Sequence, residues 1–175
     1  MTSLAQKIGQ LFFVGVQGTS LTPEEKSFIV KNNIGGVVLF TRNFKTLEQL
    51  LELTSEIHSL QSEKPDKSPM FIGVDMEGGR VARFKEPFTV WPPLRKLGEL
   101  DSASTSFEFA ERMGEELKAA GINVDFAPSV DIFTNPKNEV IGDRSLGSDA
   151  ETVAKLASAL VRGYIKSGIL ACPKH

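Results

Sequence analysis

Three clusters of polar side chains follow directly after short apolar runs, and their types suit recognition of a hydroxylated ligand. The first is Asp75-Met-Glu-Gly-Gly-Arg80-Val-Ala-Arg83, after Met70–Val74. A carboxylate there can accept hydrogen bonds from hydroxyls, and the Gly78-Gly79 pair lets the backbone turn sharply and approach a ligand. Arg80 and Arg83 can keep Asp75 ionised or donate to the ligand themselves. The second cluster follows Asn123–Ala127. It runs Pro128-Ser-Val-Asp131-Ile-Phe-Thr-Asn-Pro136 and continues through Ile141-Gly-Asp-Arg144-Ser-Leu-Gly-Ser-Asp149. Connections of that length are uncommon without a function. Arg144 offers a planar fork suited to carboxylates or paired hydroxyls, with Asp131 and Asp143 placed to orient it. The third cluster is Lys174-His175, after Ile169–Cys172, which supplies donors side by side. Each cluster also has a plainer reading, because short motifs are loosely specific. These are a surface turn with a salt bridge, a loop-stabilising Asp143–Arg144 pair, and an exposed terminal dipeptide.

The remaining chemistry-bearing residues read as structural. His58 falls on the polar side of a helix over 46–62 and reads as solvated. Cys172 lies in an apolar strand run and reads as packing rather than a reactive thiol. Trp91-Pro92-Pro93 is a rigid loop element whose indole packs. Two histidines far apart and one cysteine give no metal-ligand spacing and no internal disulfide framework. No glycine-rich dinucleotide fingerprint or phosphate loop is present. No cofactor or metal is therefore expected.

Composition narrows the class. The 175 residues carry 20 basic and 22 acidic side chains, a formal charge of −2, which argues against a nucleic-acid binder. A hydrophobic share of 41% and a charged share of 24% are those of a globular chain. No apolar run approaches the roughly 20 residues of a membrane span. The run Leu11–Val16 is shorter than a secretory apolar segment of roughly 7–15 residues, which leads to an expected cytoplasmic location.

The elements that must position these clusters are strands alternating with helices. Candidate strands are Leu11–Val16, Gly36–Phe40, Met70–Val74, Asn123–Ala127 and Ile169–Cys172. Most are continuous apolar runs, which suits parallel strands buried on both faces. Helix starts are signalled by hydroxyl-x-x-Glu/Gln pairs at Ser3/Gln6, Thr22/Glu25, Thr46/Gln49, Thr105/Glu108 and Ser148/Glu151. Gly121 is a natural stop for the helix near 105–120. The alternation is α/β. It fits either a doubly wound sheet or the first five strands of a (β/α)8 barrel, which needs roughly 250 residues. No helix follows the last strand run, which favours the barrel portion. Lys64–Ser68 reads as a polar loop, not a domain boundary.

Taken together, the clusters resemble glycoside hydrolase family 3, in its bacterial β-N-acetylhexosaminidase branch. The resemblance rests on an ordered set of motifs: Lys7-Ile-Gly-Gln-Leu11, Gly35-Gly-Val-Val-Leu-Phe40, Asp75-Met-Glu-Gly-Gly-Arg-Val-Ala-Arg83, Asn123-Val-Asp-Phe-Ala-Pro128, Val140-Ile-Gly-Asp-Arg-Ser-Leu-Gly-Ser148 and Cys172-Pro-Lys-His175. The Gly-Asp-Arg-Ser block favours that branch over the family's β-glucosidases.

The resemblance implies the N-terminal five-strand portion of a TIM-type (β/α)8 barrel, with the rest of that barrel beyond residue 175. It implies a retaining enzyme that releases terminal β-linked N-acetylglucosamine, with bacterial members acting on cell-wall fragments in cytoplasmic peptidoglycan recycling. The partner is then a small carbohydrate or muropeptide. Asp75, Arg83, Arg144, Lys174 and His175 would line the sugar pocket. Asp75 would accept from ring hydroxyls, Arg83 would support Asp75, and Arg144 and the Lys174-His175 pair would donate. In the family a Phe-Pro-Gly-His-Gly-type loop follows Lys-His and carries a histidine acid/base, and the nucleophilic aspartate comes later still. No catalytic residue is therefore expected up to His175. The alternatives are a family 3 β-glucosidase and a non-catalytic glycan-binding module. An isolated half-barrel would leave sheet edges open, so it is expected either to be marginally stable or to associate and cover those edges.

Overall fold

The computed structural model describes residues 3–175, which form two compact units, one reaching Val74 and including Ala120–Ile122, the other holding Asp75–Ala119 and Asn123–His175. In the first, helix α1 (Leu4–Gly9) leads into strand β1 (Phe13–Gly15), helix α2 (Pro23–Lys31), strand β2 (Gly36–Leu39), helix α3 (Leu47–Ser59) and strand β3 (Phe71–Val74). The pairs β1–β2 and β2–β3 are parallel, with Val37 opposite Val14 and Ile72. Val37, Leu39, Ile72 and Val74 are fully buried, as continuous apolar strand runs require. Leu50, Leu53, Thr54 and Ile57 of α3 recur at helical spacing on its buried face.

Local chemistry sets the helix starts. Ser3 and Thr22 make full capping boxes with Gln6 and Glu25, and Pro23 occupies the first turn of α2. Thr46 caps α3 through the Gln49 N–H, but the Gln49 side chain turns to the Lys45 N–H and the Thr19 and Asn43 carbonyls. His58, expected to be solvated, and Lys64, read as part of a polar loop, are both engaged. His58 is half-buried, its Nε2 2.8 Å from the Gly121 carbonyl oxygen. Lys64 is buried and donates to the Ile34 carbonyl at 2.8 Å. Its aliphatic stem packs while its ammonium finds a backbone acceptor, a combination that charge patterning does not reveal.

The second unit opens with strands β4 (Met76–Gly78) and β5 (Val81–Ala82), an antiparallel hairpin within a segment expected to be loop. Gly78 and Gly79 make its turn with φ of 92° and 56°. Helices α4 (Leu94–Leu100) and α5 (Ala103–Ala119), strand β6 (Val124–Asp125), helix α6 (Ala150–Ser167) and strand β7 (Leu170–Ala171) follow, with β6 and β7 parallel. All five expected strands form, each shorter than its apolar run. Helix α4 carried no capping signal and was not foreseen.

Two expected caps move. Ser102, not Thr105, supplies the capping hydroxyl of α5, its Oγ accepting the Thr105 N–H. Asp149, one residue after Ser148, caps α6 through the Thr152 N–H. Gly121 takes the left-handed conformation after α5, as expected. Cys172 is exposed rather than packed, because the strand ends at Ala171. Trp91 packs edge-on to Phe109 at 4.9 Å, and its Nε1–H reaches Glu116.

Helices α5 and α6 meet through small residues. A Cβ on Gly163 would lie 2.3 Å from the Phe107 carbonyl oxygen and 2.9 Å from Ala110 Cβ. Alanine would add about 1 kcal/mol of helix propensity. Overpacking against a backbone oxygen costs about 1–3 kcal/mol, so the clash is expected to dominate. Gly163→Ala should lower the urea midpoint of unfolding, and an unchanged or raised midpoint would show that the helices part without cost.

Candidate functional site

The polar residues singled out by the sequence converge within the second unit, each brought by a different piece of backbone. Asp75 directly precedes β4, and Arg83 directly follows β5. The hairpin returns Arg83 beside Asp75, with the Arg83 N–H donating to the Asp75 carbonyl oxygen at 3.3 Å and the Arg83 Nη2 to Asp75 Oδ2 at 3.0 Å. Lys174 lies past β7, where the β6–β7 pairing resumes as an isolated parallel bridge between Ser129 and Lys174. The Val130 N–H donates to the Lys174 carbonyl and the Lys174 N–H to the Pro128 carbonyl. That bridge aims the Lys174 ammonium at Asp75 Oδ1, 2.6 Å away.

Arg144 arrives on the connection between β6 and α6. A short 3-10 turn, Gly142–Arg144, ends on it. The turn is held by Arg80, whose Nη2 donates to the carbonyls of Glu139, Val140 and Ile141 and whose Nε donates to Asp143 at 2.9 Å. Arg95 adds a bond to the Gly142 carbonyl. On the other side, Ser145 Oγ donates to the Asp131 carbonyl at 2.6 Å. Arg144 itself makes a bidentate pair with Glu77, Nε to Oε2 and Nη2 to Oε1, both at 2.9 Å. Glu77 Oε1 also lies 2.8 Å from Lys174 Nζ. His175 Nδ1 lies 2.8 Å from Asp131 Oδ2, and its Nε2 lies 3.3 Å from Arg144 Nη2.

One network therefore joins Asp75, Arg83, Arg144, Lys174 and His175, and it corrects three expectations. Arg80 does not pair with Asp75; it anchors the loop that carries Arg144. Asp143 pairs with Arg80, so it neither orients Arg144 nor forms a pair with it. Asp131 orients His175, with Ser129 Oγ donating to the same carboxylate at 2.7 Å. The residue that orients Arg144 is Glu77. Its signal was the Asp75-x-Glu77 spacing, because residues two apart in an extended chain share a face.

Electrostatics keeps the network charged. Burial works against ionised Asp75 and Glu77, but hydrogen bonds and charges from Lys174 with Arg83, and from Arg144 with Lys174, outweigh it and hold both carboxyls below their ordinary values. Burial likewise opposes the Lys174 ammonium, yet Asp75 and Glu77 raise its pKa. Hydrogen bonding to Glu77 raises that of Arg144. Beneath this layer, fully buried Asp125 accepts the Met76 N–H at 2.9 Å, and burial pushes its pKa well above its ordinary value. Tyr164, also buried, is pushed up for the same reason and then by Asp125. Asp125 is thus shifted in the opposite direction to the carboxyls above it. A separate groove of about 520 Å³ beside α6 is lined by apolar residues such as Val130, Val153, Val161 and Pro173, with Arg162 its one ionisable residue, and offers no comparable chemistry.

Comparison with known proteins now bears on this arrangement. Residues 3–175 match the family described as the glycosyl hydrolase family 3 N terminal domain. The chain belongs to glycosyl hydrolase family 3. A beta-hexosaminidase of Nitrosomonas eutropha is 40% identical over 166 residues, covering 91% of this chain and 46% of that protein. One from Neisseria gonorrhoeae is 43% identical over 162 residues, covering 89% and 43%.

Among solved structures, a family 3 beta-N-acetylglucosaminidase from a Paenibacillus species superposes on 100% of this chain and 33% of its own, with a TM-score of 0.92 and 39% identity. NagZ from Neisseria gonorrhoeae, in complex with N-trifluoroacetyl-D-glucosamine, matches with a TM-score of 0.85 and 37% identity, covering 93% of this chain and 49% of its own. The chain thus spans about half the length of the relatives it matches. Its fold is α/β, the N-terminal portion of a TIM-type barrel, in agreement with the expectation from sequence. Among the described residues no helix is long and apolar enough to cross a membrane.

The raised pKa of Asp125 has a signed consequence. A carboxyl whose folded pKa is raised leaves stability intact below its unfolded value of about 4, and stability then falls as pH rises towards the folded value. Asp75 and Glu77, depressed in the fold, act oppositely and lose stability as pH falls. Asp125→Asn keeps an acceptor for the Met76 N–H and removes the Asp125 contribution. The variant should gain on the wild type as pH rises above about 4 in paired urea melts. A difference that stays constant with pH would contradict a raised Asp125 pKa.

Proposed function

We propose that this chain is the N-terminal part of a (β/α)8 catalytic domain, completed by residues beyond His175, in a retaining β-N-acetylhexosaminidase that releases terminal β-linked N-acetylglucosamine. The observation that carries the reading is the joining of Asp75, Arg83, Arg144, Lys174 and His175 in one ionised, hydrogen-bonded network on a family 3 chain. The names of the relatives support the amino-sugar, as does the N-trifluoroacetyl-D-glucosamine held by NagZ of Neisseria gonorrhoeae.

In this reading the five residues are substrate-binding, and none is catalytic. Asp75, kept ionised by Lys174 and Arg83, accepts from ring hydroxyls remote from the scissile bond. Arg144 and Lys174 donate to hydroxyls. His175 lines the pocket beside them, its Nδ1 facing Asp131 and its Nε2 facing Arg144 Nη2. Such contacts orient the sugar so that a nucleophile and an acid/base outside this segment act on the anomeric carbon from opposite sides. The aspartate would attack to form a glycosyl-enzyme, and the histidine would protonate the leaving oxygen and then activate water.

The cellular role that fits is turnover of peptidoglycan fragments in the cytoplasm, with small carbohydrates or muropeptides as substrates. The 175-residue segment alone would bind without hydrolysing, and it would self-associate through its open sheet edges. Just before β1, Leu11 and Phe12 are 81% and 54% exposed, apolar surface that association would cover.

The test is hydrolysis by the full-length protein of aryl β-N-acetylglucosaminide against aryl β-glucoside, with the N-acetylglucosaminide expected to be cleaved faster. Faster cleavage of the glucoside would replace this reading with a β-glucosidase, and cleavage of neither with a glycan-binding module. Asp75→Ala should lower kcat/KM about ten- to a hundredfold, the worth of one charge-assisted hydrogen bond of ~1.5–3 kcal/mol. Unchanged kinetics would remove Asp75 from the pocket.

A further inference from the structure

Glu77 is 1% exposed, and both of its oxygens are spent on cations. Oε2 accepts from Arg144 Nε, while Oε1 accepts from Arg144 Nη2 and faces Lys174 Nζ at 2.8 Å. We propose that Glu77 is the positioning residue of the pocket, a carboxylate that fixes the donor directions of Arg144 and Lys174 without itself touching the ligand. The inference rests on the sugar-pocket reading above and extends it to a residue that reading does not use.

A count of donors supports it. Arg144 has five N–H groups. Its Nε–H and one Nη2–H go to Glu77, the second Nη2–H points to His175 Nε2, and one Nη1–H goes to the Val140 carbonyl at 3.2 Å. One Nη1–H is left. Lys174 has three N–H groups, and two face Asp75 and Glu77, which also leaves one. Each cation thus keeps a single donor whose direction is set by the bonds already made. An arginine or lysine without that restraint samples many rotamers, and a ligand would have to order it on binding.

Stability alone gives little reason for the arrangement, because a buried ion cluster is often no more stabilising than apolar residues of the same volume. Glutamate also fits where its near relatives do not. Aspartate is one methylene short of reaching both cations. Glutamine keeps the shape but turns an acceptor into a donor that faces a donor.

The test uses Glu77→Gln in the full-length protein. kcat/KM for aryl β-N-acetylglucosaminide should fall about ten- to a hundredfold, and the inhibition constant of N-acetylglucosamine should rise in step. The same change made in an Arg144→Ala background should cost a markedly smaller factor, since its main target is gone. Full additivity of the two substitutions, or unchanged kinetics in a variant with native circular dichroism, overturns the proposal.

A second readout needs no activity, and its deciding arm uses the wild type alone. In the nitrogen-15 spectrum of the wild-type protein, the Arg144 Nε–H should exchange slowly with water, and where the Glu77→Gln protein folds it should exchange fast. Fast exchange in the wild type overturns the proposal. If the wild type neither cleaves N-acetylglucosaminides nor binds N-acetylglucosamine, the sugar reading falls, and the Arg144 exchange rate still decides the role of Glu77.

Discussion

The buried Glu77 carboxylate, shared between Arg144 and Lys174, is the constraint on which the arrangement of the second unit turns. An ionised carboxylate removed from water is costly unless opposite charges and hydrogen-bond donors replace its hydration. Glu77 has two such partners within 2.9 Å, and Lys174 in turn is shared with Asp75. Removing any one member would leave a charge exposed to a low-dielectric surrounding. The network therefore holds together as a unit, and with it the hairpin, the end of β7 and the loop after β6.

That interdependence explains why so much of the surrounding structure serves to hold loops. Arg80 satisfies three consecutive carbonyls, so the segment before Arg144 has defined partners despite lacking regular structure. Ser145 and the bridge between Ile132 and Gly147 close the other end of the same loop. The Ser129–Lys174 bridge extends the β6–β7 pairing past the last residues of both strands. Backbone hydrogen bonds set where Lys174 stands, and side-chain bonds to Asp131 and Arg144 hold His175.

Charge is layered within the unit. The upper layer is ionised, since Asp75, Glu77 and Asp131 all lie below their ordinary pKa values despite partial burial. Asp125 and Tyr164 below it are fully buried, and burial raises the pKa of both. Asp125 fixes the Met76 N–H at the start of β4, next to Asp75 and Glu77.

The sequence by itself determined the alternation of strands and helices, because apolar runs and capping hydroxyls act within a few residues of one another. It also determined the family, through ordered local motifs, and singled out the five residues that the structure joins in one network. It misplaced the caps of α5 and α6, where neighbouring hydroxyls and carboxylates compete for the same N–H groups. The Arg83–Asp75 pair was legible in the sequence, but the partners of Arg144, Lys174 and Arg80 were decided only by the tertiary structure. Arg144 and Glu77 are 67 positions apart, Lys174 and Asp75 99 apart, and the nearer candidates Asp143 and Arg80 are taken by each other. Ion pairing depends on distance through space and on burial, and the chain sets neither until the loops have closed.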